Sequence, residues 1–188
     1  MSTNESGALA RFGVTDREIE EALGRVKVSA VDYADLYFEY CQSESVSMEE
    51  GIVKRATKSV GQGVGVRATA GEKTGFAYSD ELTAKDLNIA ADTARYIANS
   101  VQGTAAVPVT HRPAPARDLY PHDRATIEVA TRDRVTLLNA IDAEARRYDP
   151  RIKNVMAAYN TEYKVMLVAT SDGLMVGDIQ PLSRLQVT

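Results

Sequence analysis

The stretch from Tyr33 to Tyr78 constrains the fold more than any other, because its apolar residues recur at every second position without a helical period between them. Leu36, Phe38 and Tyr40 alternate with Asp35, Tyr37 and Glu39, and Glu44 to Met48 forms a second such stretch. Successive side chains of a strand point to opposite faces, so this pattern buries one face and wets the other. Glu50-Gly51 marks a turn, Ile52 to Lys58 resumes the extended pattern, and Gly63 to Ala68 is joined to Thr74 to Tyr78 across Ala70-Gly71-Glu72-Lys73, a glycine-bearing hairpin connection. Strands that follow one another without intervening helices make an antiparallel meander, here of four or five strands.

Helical periods flank this run. Thr15 followed by Glu18 has capping-box spacing, and Ile19, Ala22, Leu23 and Val26 then share a face, which predicts a helix over Asp16 to Val26. Thr83 with Asp86 three residues later opens a second helix to Val101, with Leu87, Ala90, Ala94, Ile97 and Val101 in phase up to Gly103 and facing the meander. A third is predicted over Arg132 to Tyr148, with Val135, Leu138, Ile141 and Ala145 inward and a stop before Asp149-Pro150. Between them, Thr104 to Asp123 holds four of the six prolines and reads as an extended connector, the one internal boundary (104–123) of an otherwise single domain over 1–188. The tail returns to strands, Ile152 to Tyr159, Tyr163 to Thr170, Leu174 to Ile179 and Leu182 to Thr188, with turns at Asn160-Thr161-Glu162 and Ser171-Asp172-Gly173. The expected class is α+β, antiparallel strand meanders with helices packed on them, and Leu36, Phe38, Leu87, Ile97, Leu138, Val165 and Leu167 form the expected core. Strand Tyr163 to Thr170 carries Val165, Leu167 and Ala169 on one face and Met166 and Val168 on the other. One face therefore needs cover beyond a simple two-layer domain, from further chain or a second subunit. The last strand runs to Thr188 in mid-pattern, so the chain reads as the front part of a longer protein.

Composition narrows the function classes. With 188 residues, 44% of them hydrophobic, the chain has material for a real core. A net charge of −4 gives no global basic footprint for nucleic acid or anionic lipid. Cys41 is the only cysteine, which excludes an intrachain disulfide and fits a reducing compartment, the cytoplasm. The apolar runs Val155 to Tyr159 and Val165 to Ala169 are too short to cross a bilayer, and Met1 to Gly7 has no signal-peptide core.

Catalytic signals are sparse. His111 and His122 lie in the connector without an HExxH or HxH pattern, and read as loop histidines. Cys41 has no base beside it and reads as a small buried hydrophobe. Gly61-Gln62-Gly63-Val64-Gly65-Val66 continues as a strand instead of entering a helix, and no Gly-Lys-Ser/Thr follows, so it is not a phosphate loop. Glu44, Glu49, Glu50, Glu72, Asp80 and Glu81 read as solvated turn and edge acids, and Lys54, Arg67 and Lys73 suit equally the role of their surface partners and that of ligands for a substrate carboxylate. Tyr33, Tyr37, Phe38, Tyr40, Phe76 and Tyr78 read as a packed sheet–helix interface in preference to a peptide-contacting surface. No catalytic or metal-ligating residue is assigned.

The string GQGVGVRATAGEKTGFAYSDEL from Gly61 resembles the hallmark of the TldD branch of the TldD/PmbA family of metallopeptidases, formerly called modulators of DNA gyrase. YADLYFEYCQSESVSMEEGIVK from Tyr33, LYPHDRATIEVATRDRVTLLNAIDAEARRYDPRIKNVMAAY from Leu119 and VATSDGLMVGDIQPLSRLQV near the end are similar to the same family, in the same order. The resemblance implies an N-terminal domain of a longer protein whose zinc site, an HExxxH helix with a later cysteine, belongs to a C-terminal domain absent from this chain. No HExxxH occurs in these residues, so no catalytic or metal residue carries over, and the chain alone is expected to be inactive. It further implies a dimer with a TldD-like or PmbA-like partner subunit, enclosing a cavity in which unfolded peptides, such as a microcin precursor or an antitoxin, are cut. In such a parent the strand Gly63 to Ala68 and the hairpin Thr74 to Tyr78 are the expected peptide-facing backbone, with Gly63, Gly65, Arg67, Gly75, Phe76 and Tyr78 as candidate substrate-facing residues. Two other classes compete: a stand-alone peptide- or protein-binding module that adds a strand to an exposed sheet edge, and a small hydrolase built on two converging carboxylates.

Overall fold

A computed structural model describes residues 9–28, 30–98, 107–111 and 126–188. Helices α1 (Asp16–Val26), α2 (Ala84–Ala98) and α3 (Thr131–Tyr148) accompany strands β1 (Tyr33–Glu49), β2 (Ile52–Ala70), β3 (Lys73–Ser79), β4 (Thr110–His111), β5 (Met156–Thr170) and β6 (Leu174–Val187). The strand order is β3-β2-β1-β5-β6-β4. The hairpins at Glu50-Gly51 and Gly71-Glu72 make β1, β2 and β3 antiparallel, with Val64 opposite Ser79 and Ala70 opposite Lys73. Glu50 N–H donates to Val155 O and Ser171 N–H to Ala34 O, which sets β1 antiparallel to β5. Among the described residues only the two-residue β4 runs parallel to its neighbour, with Thr110 beside Leu174. The α+β class with helices on antiparallel strands is thus what forms.

Local signals placed the helix starts well. Thr15 Oγ1 accepts from Glu18 N–H at 3.3 Å while the Glu18 carboxylate accepts from Thr15 N–H at 2.8 Å, the reciprocal box that satisfies two orphan donors. Asp86 N–H donates to Thr83 Oγ1 at 3.2 Å at the head of α2. The predicted end of that helix, beyond Ala98, lies outside the described residues, as does most of the connector including His122. The described part of the connector is not featureless, since Thr110 and His111 pair as β4.

Contacts divide the chain into two compact units. The first draws on Met1–Tyr40, Gly61–Asp118 and Val165–Ile179, the second on Cys41–Val60, Leu119–Lys164 and Gln180–Thr188. In the first, Ile19, Ala22, Leu23 and Val26 of α1, Leu36 and Phe38 of β1, Val64, Val66 and Ala68 of β2, Leu87, Ala90, Ala91 and Ala94 of α2 and Val165, Leu167 and Ala169 of β5 are all buried. In the second, Val46, Met48, Leu138 and Ala157 form the core, with Val135, Ile141 and Tyr159 packed on it.

Three expectations need correction. Ile97 is 54% exposed, because α2 turns Leu87, Ala90, Ala91, Ala94 and Ala98 inward and leaves Ile97 outside that stripe. The breaks expected after Tyr40, after Lys58, at Asn160-Thr161-Glu162 and after Ile179 do not end strands, since β1, β2, β5 and β6 each run straight through. Ile152 to Val155 precede β5 and do not belong to it. The polar interruptions instead lie at or near the four positions where a strand leaves one unit's core and joins the other's, after Tyr40, Val60, Lys164 and Ile179. The apolar alternation lapses at these positions while the strands themselves continue.

Candidate functional site

The first unit carries an open sheet face. Register pairs Gly65 with Tyr78 and Arg67 with Phe76, so these residues share one face, while Val66 opposite Ala77 and Ala68 opposite Gly75 face the helices. Phe76 is 57% and Tyr78 74% exposed, and Tyr37 of β1 is also exposed. The aromatic set therefore divides by parity: Phe38 and Tyr40 are core, as expected, while Tyr37, Phe76 and Tyr78 form a shelf in place of the packed interface predicted for them. Arg67 Nη2 lies 2.7 Å from Asp35 Oδ2, and the Tyr37 hydroxyl donates to Glu39 Oε2 at 2.6 Å, so the shelf is rimmed by fixed polar groups. The hydrogen bond and charge of Asp35 hold the Arg67 guanidinium firmly protonated, above its ordinary value. Tyr33 is pushed up by burial first, then by Asp35 and Asp172.

The glycines behave differently from one another. A Cβ on Gly65 would meet two carbons of the Phe76 ring at 3.1 Å, so that ring lies over the glycine and occupies the space expected for a substrate. Gly63 lies against Ser79 O, 3.0 Å from where its Cβ would be. Gly75 departs from the expected substrate-facing set. It is buried on the opposite face, where a Cβ would fall 2.0 Å from Ala94 O and 2.7 Å from Ala98 N, because α2 crosses β3 in backbone contact. Five of the six candidates, Gly63, Gly65, Arg67, Phe76 and Tyr78, are thus brought together, and Gly75 serves the helix.

The second unit holds a charged cluster that sequence reasoning missed. Arg134, in the first turn of α3, has a side chain only 2% exposed and pairs with Glu44 of β1, itself 10% exposed. Gln42 Nε2 donates to Glu44 Oε1 at 2.8 Å, Lys58 Nζ lies 3.2 Å from the same oxygen, and Arg134 Nη2 donates to Thr126 O at 3.0 Å. Burial pushes the Glu44 carboxyl up, but hydrogen bonds from Arg134, Lys58 and Gln42 outweigh it and hold the group below the ordinary carboxylate value. Glu44 is therefore not the solvated edge acid expected of it. Beside it opens a cleft of about 310 Å³ bordered by Ser43, Ser45, Thr57, Ser59 and Asn160, with Ser45 Oγ donating to Asn160 Oδ1 at 2.7 Å. Cys41 is half-buried, its Sγ 3.8 Å from Ser43 Oγ. Among the described residues no group of three His, Cys, Asp or Glu side chains converges as a protein-bound metal would require.

Comparison with known proteins decides the family. The model for the PmbA/TldA metallopeptidase domain 1 matches residues 34–98, and that for the PmbA/TldA metallopeptidase central domain matches residues 125–188. The chain belongs to the TldD/PmbA family. Among curated relatives it is 35% identical over 158 residues to the metalloprotease TldD homolog of Haemophilus influenzae, covering 84% of this chain and 33% of that protein. It is 31% identical to the homolog of Buchnera aphidicola from Schizaphis graminum, with 84% and 32% covered. The chain thus spans about a third of the length of these relatives. The fold matches a crystal structure described as a modulator of DNA gyrase from Bacteroides thetaiotaomicron, with a TM-score of 0.69 at 17% identity over 100% of this chain and 41% of that one. TldE from Thermococcus kodakarensis matches with a TM-score of 0.57 at 16% identity, over 83% and 40%. This TldD/PmbA chain therefore matches two domains of a metallopeptidase family, and none of its described helices is long and apolar enough to cross a membrane.

Proposed function

We propose that this chain supplies the substrate-enclosing and assembly part of a TldD-like zinc metallopeptidase that cleaves unfolded peptides in the cytoplasm. In this reading the zinc and the catalytic groups belong to a C-terminal domain, the working unit is a dimer with a TldD-like or PmbA-like subunit, and the chain alone is inert. The observation that carries the substrate role is the shelf of Tyr37, Phe76 and Tyr78, exposed on a sheet whose opposite face holds the buried Leu36, Phe38, Val64, Val66, Ala68 and Gly75. Flat aromatic faces contact a polypeptide with little loss of side-chain freedom, and the fixed Arg67–Asp35 and Tyr37–Glu39 pairs offer polar contacts beside them. Such a surface holds unfolded chains without demanding a sequence. This chain's residues position and enclose; no proton transfer or metal step is assigned to them.

The test is proteolysis of an unfolded peptide by the full-length protein, assembled with its partner and zinc, against the 188-residue chain alone. Chelator-sensitive cleavage by the assembly and none by the chain is the expected result. An inert assembly, or chelator-sensitive cleavage by the chain, overturns the proposal. For the shelf, Phe76→Ala with Tyr78→Ala in the full-length protein should raise KM with kcat held; an unchanged KM removes the shelf from the substrate path.

A further inference from the structure

Strand β2 is longer than its outer neighbour. Its register with β3 runs from Val64–Ser79 to Ala70–Lys73, so over residues 52–60 it pairs with β1 on one side and with no strand on the other among the described residues. All nine of these residues are exposed, including Ile52 at 59% and Val60 at 56%. A strand edge of this length presents a row of unpaired N–H and C=O groups, which is a template for another strand unless something prevents it. Two devices that commonly prevent it are absent: the segment contains no proline, and it runs as continuous strand.

What it does contain is positive charge. Lys54, Arg55 and Lys58 fall within it, and no Asp or Glu occurs anywhere from Ile52 to Ala70. Lys58 already shares Glu44, whereas Lys54 and Arg55 have no ion pair among the described residues. These charges choose between occupants. A second copy, pairing antiparallel about Ala56, would set Lys54 opposite Lys58 on one face twice over, and like charges directly opposite destabilise a ladder. A basic or neutral segment gains nothing from Lys54 and Arg55. An acidic segment meets Lys54 on one face and Arg55 on the other while its backbone completes the ladder, and apolar residues at its ends meet Ile52 and Val60.

We propose that the β2 edge over residues 52–60 is a docking site for an acidic, extended polypeptide segment that adds to the sheet as a strand. The main chain supplies the ladder and the cations supply the selection. The proposal is independent of the peptidase reading, since it concerns binding by residues of the second unit and requires no metal and no cleavage.

The experiment uses the 188-residue chain and three synthetic ten-residue peptides: a Val/Thr peptide with Glu at alternate positions, the same peptide with Lys for Glu, and the Glu peptide with two central prolines. Affinity is measured by titration calorimetry at low and high salt, and the bound amides are located by hydrogen exchange. The Glu peptide should bind, slow exchange of alternate amides within residues 52–60, and weaken in high salt, where exposed charges are screened. The Lys and proline peptides should not bind. The double variant Lys54→Glu with Arg55→Glu, which changes only exposed side chains, should weaken the Glu peptide by about tenfold or more and admit the Lys peptide. Equal binding of Glu and Lys peptides, or binding that leaves amides 52–60 unprotected, overturns the proposal. So does protection of those amides by concentration-dependent self-association of the chain without peptide, which would make a second copy the occupant.

Discussion

Replacing Arg134 by Met should destabilise the second unit far more than any surface change. The guanidinium is 2% exposed and faces a carboxylate that is 10% exposed, so both charges have left water. Two unit charges about 4 Å apart attract by about 4 kcal/mol at an effective dielectric of about 20. Removing one member of a buried pair typically costs about 3–5 kcal/mol, because the other is left uncompensated. Glu44 keeps Lys58 at 3.2 Å and Gln42 at 2.8 Å after the change, and Lys58 is 59% exposed and well hydrated. The loss therefore belongs near the lower end, about 3 kcal/mol. Glu44→Gln should cost a similar amount, since a neutral amide then faces a buried cation whose remaining hydrogen bond among the described residues is to Thr126 O. The double variant Arg134→Met with Glu44→Leu should cost less than the two singles together, with a coupling of about 2 kcal/mol. Urea unfolding followed by far-UV circular dichroism measures these values, and hydrogen exchange in α3 assigns the loss to the second unit. Because the folded carboxyl of Glu44 lies below its ordinary value of 4.5, its contribution is complete above that pH and is lost as the pH falls through the folded value. The gap between wild type and Glu44→Gln should accordingly narrow as the pH falls below 4.5 and through the folded value. A loss under about 0.5 kcal/mol for Arg134→Met, or strictly additive singles, would refute the reasoning.

Gly75→Ala should lower the melting temperature, with about 1–3 kcal/mol lost, since both atoms its Cβ would strike are α2 backbone; an unchanged melting curve would mean that α2 does not approach β3 this closely. Gly65→Ala should be milder, because the Phe76 ring is exposed and free to shift. Leu138→Ala and Leu167→Ala, both at 0% exposure, should each cost about 2–5 kcal/mol in denaturant titrations, and a value within noise would displace that residue from its core. Thr15→Ala removes the hydroxyl half of the capping box and should cost about 1 kcal/mol, visible as faster amide exchange in the first turn of α1.

What was legible in the sequence was whatever depended on one element at a time. The starts of α1 and α2 rest on hydroxyl-to-amide bonds spanning three residues, and the core stripes of β1 and α3 rest on periods of two and about 3.6. What was not legible depended on two elements at once. Gly75 sits on a strand whose parity alone puts it beside Ala77 and opposite Ala68, yet nothing local says that a helix backbone will press against it. The strand breaks were misplaced for a related reason. A polar interruption ends a strand only if the ladder also ends, and whether a neighbouring strand continues is a property of the sheet.

The Arg134–Glu44 pair lies between these cases, and it shows what a stricter reading of parity yields. On β1, Glu44 stands two residues before Val46 and four before Met48, both buried, while Ser43, Ser45 and Ser47 take the other face. Period two thus places the Glu44 carboxylate on the core side. On α3, Arg134 stands four residues before the fully buried Leu138, so it shares the inward stripe. A single charge on a core-facing position is a contradiction that a sequence resolves only with a partner, because a lone buried ion costs several kcal/mol. Here two elements each carry one such contradiction, of opposite sign, and the same elements share the core of Val46, Met48 and Leu138. Once β1 and α3 are allowed to pack, the two misfit charges have each other as partner, which makes an opposite-charge pair on facing apolar stripes a usable signal for which helix covers which strand.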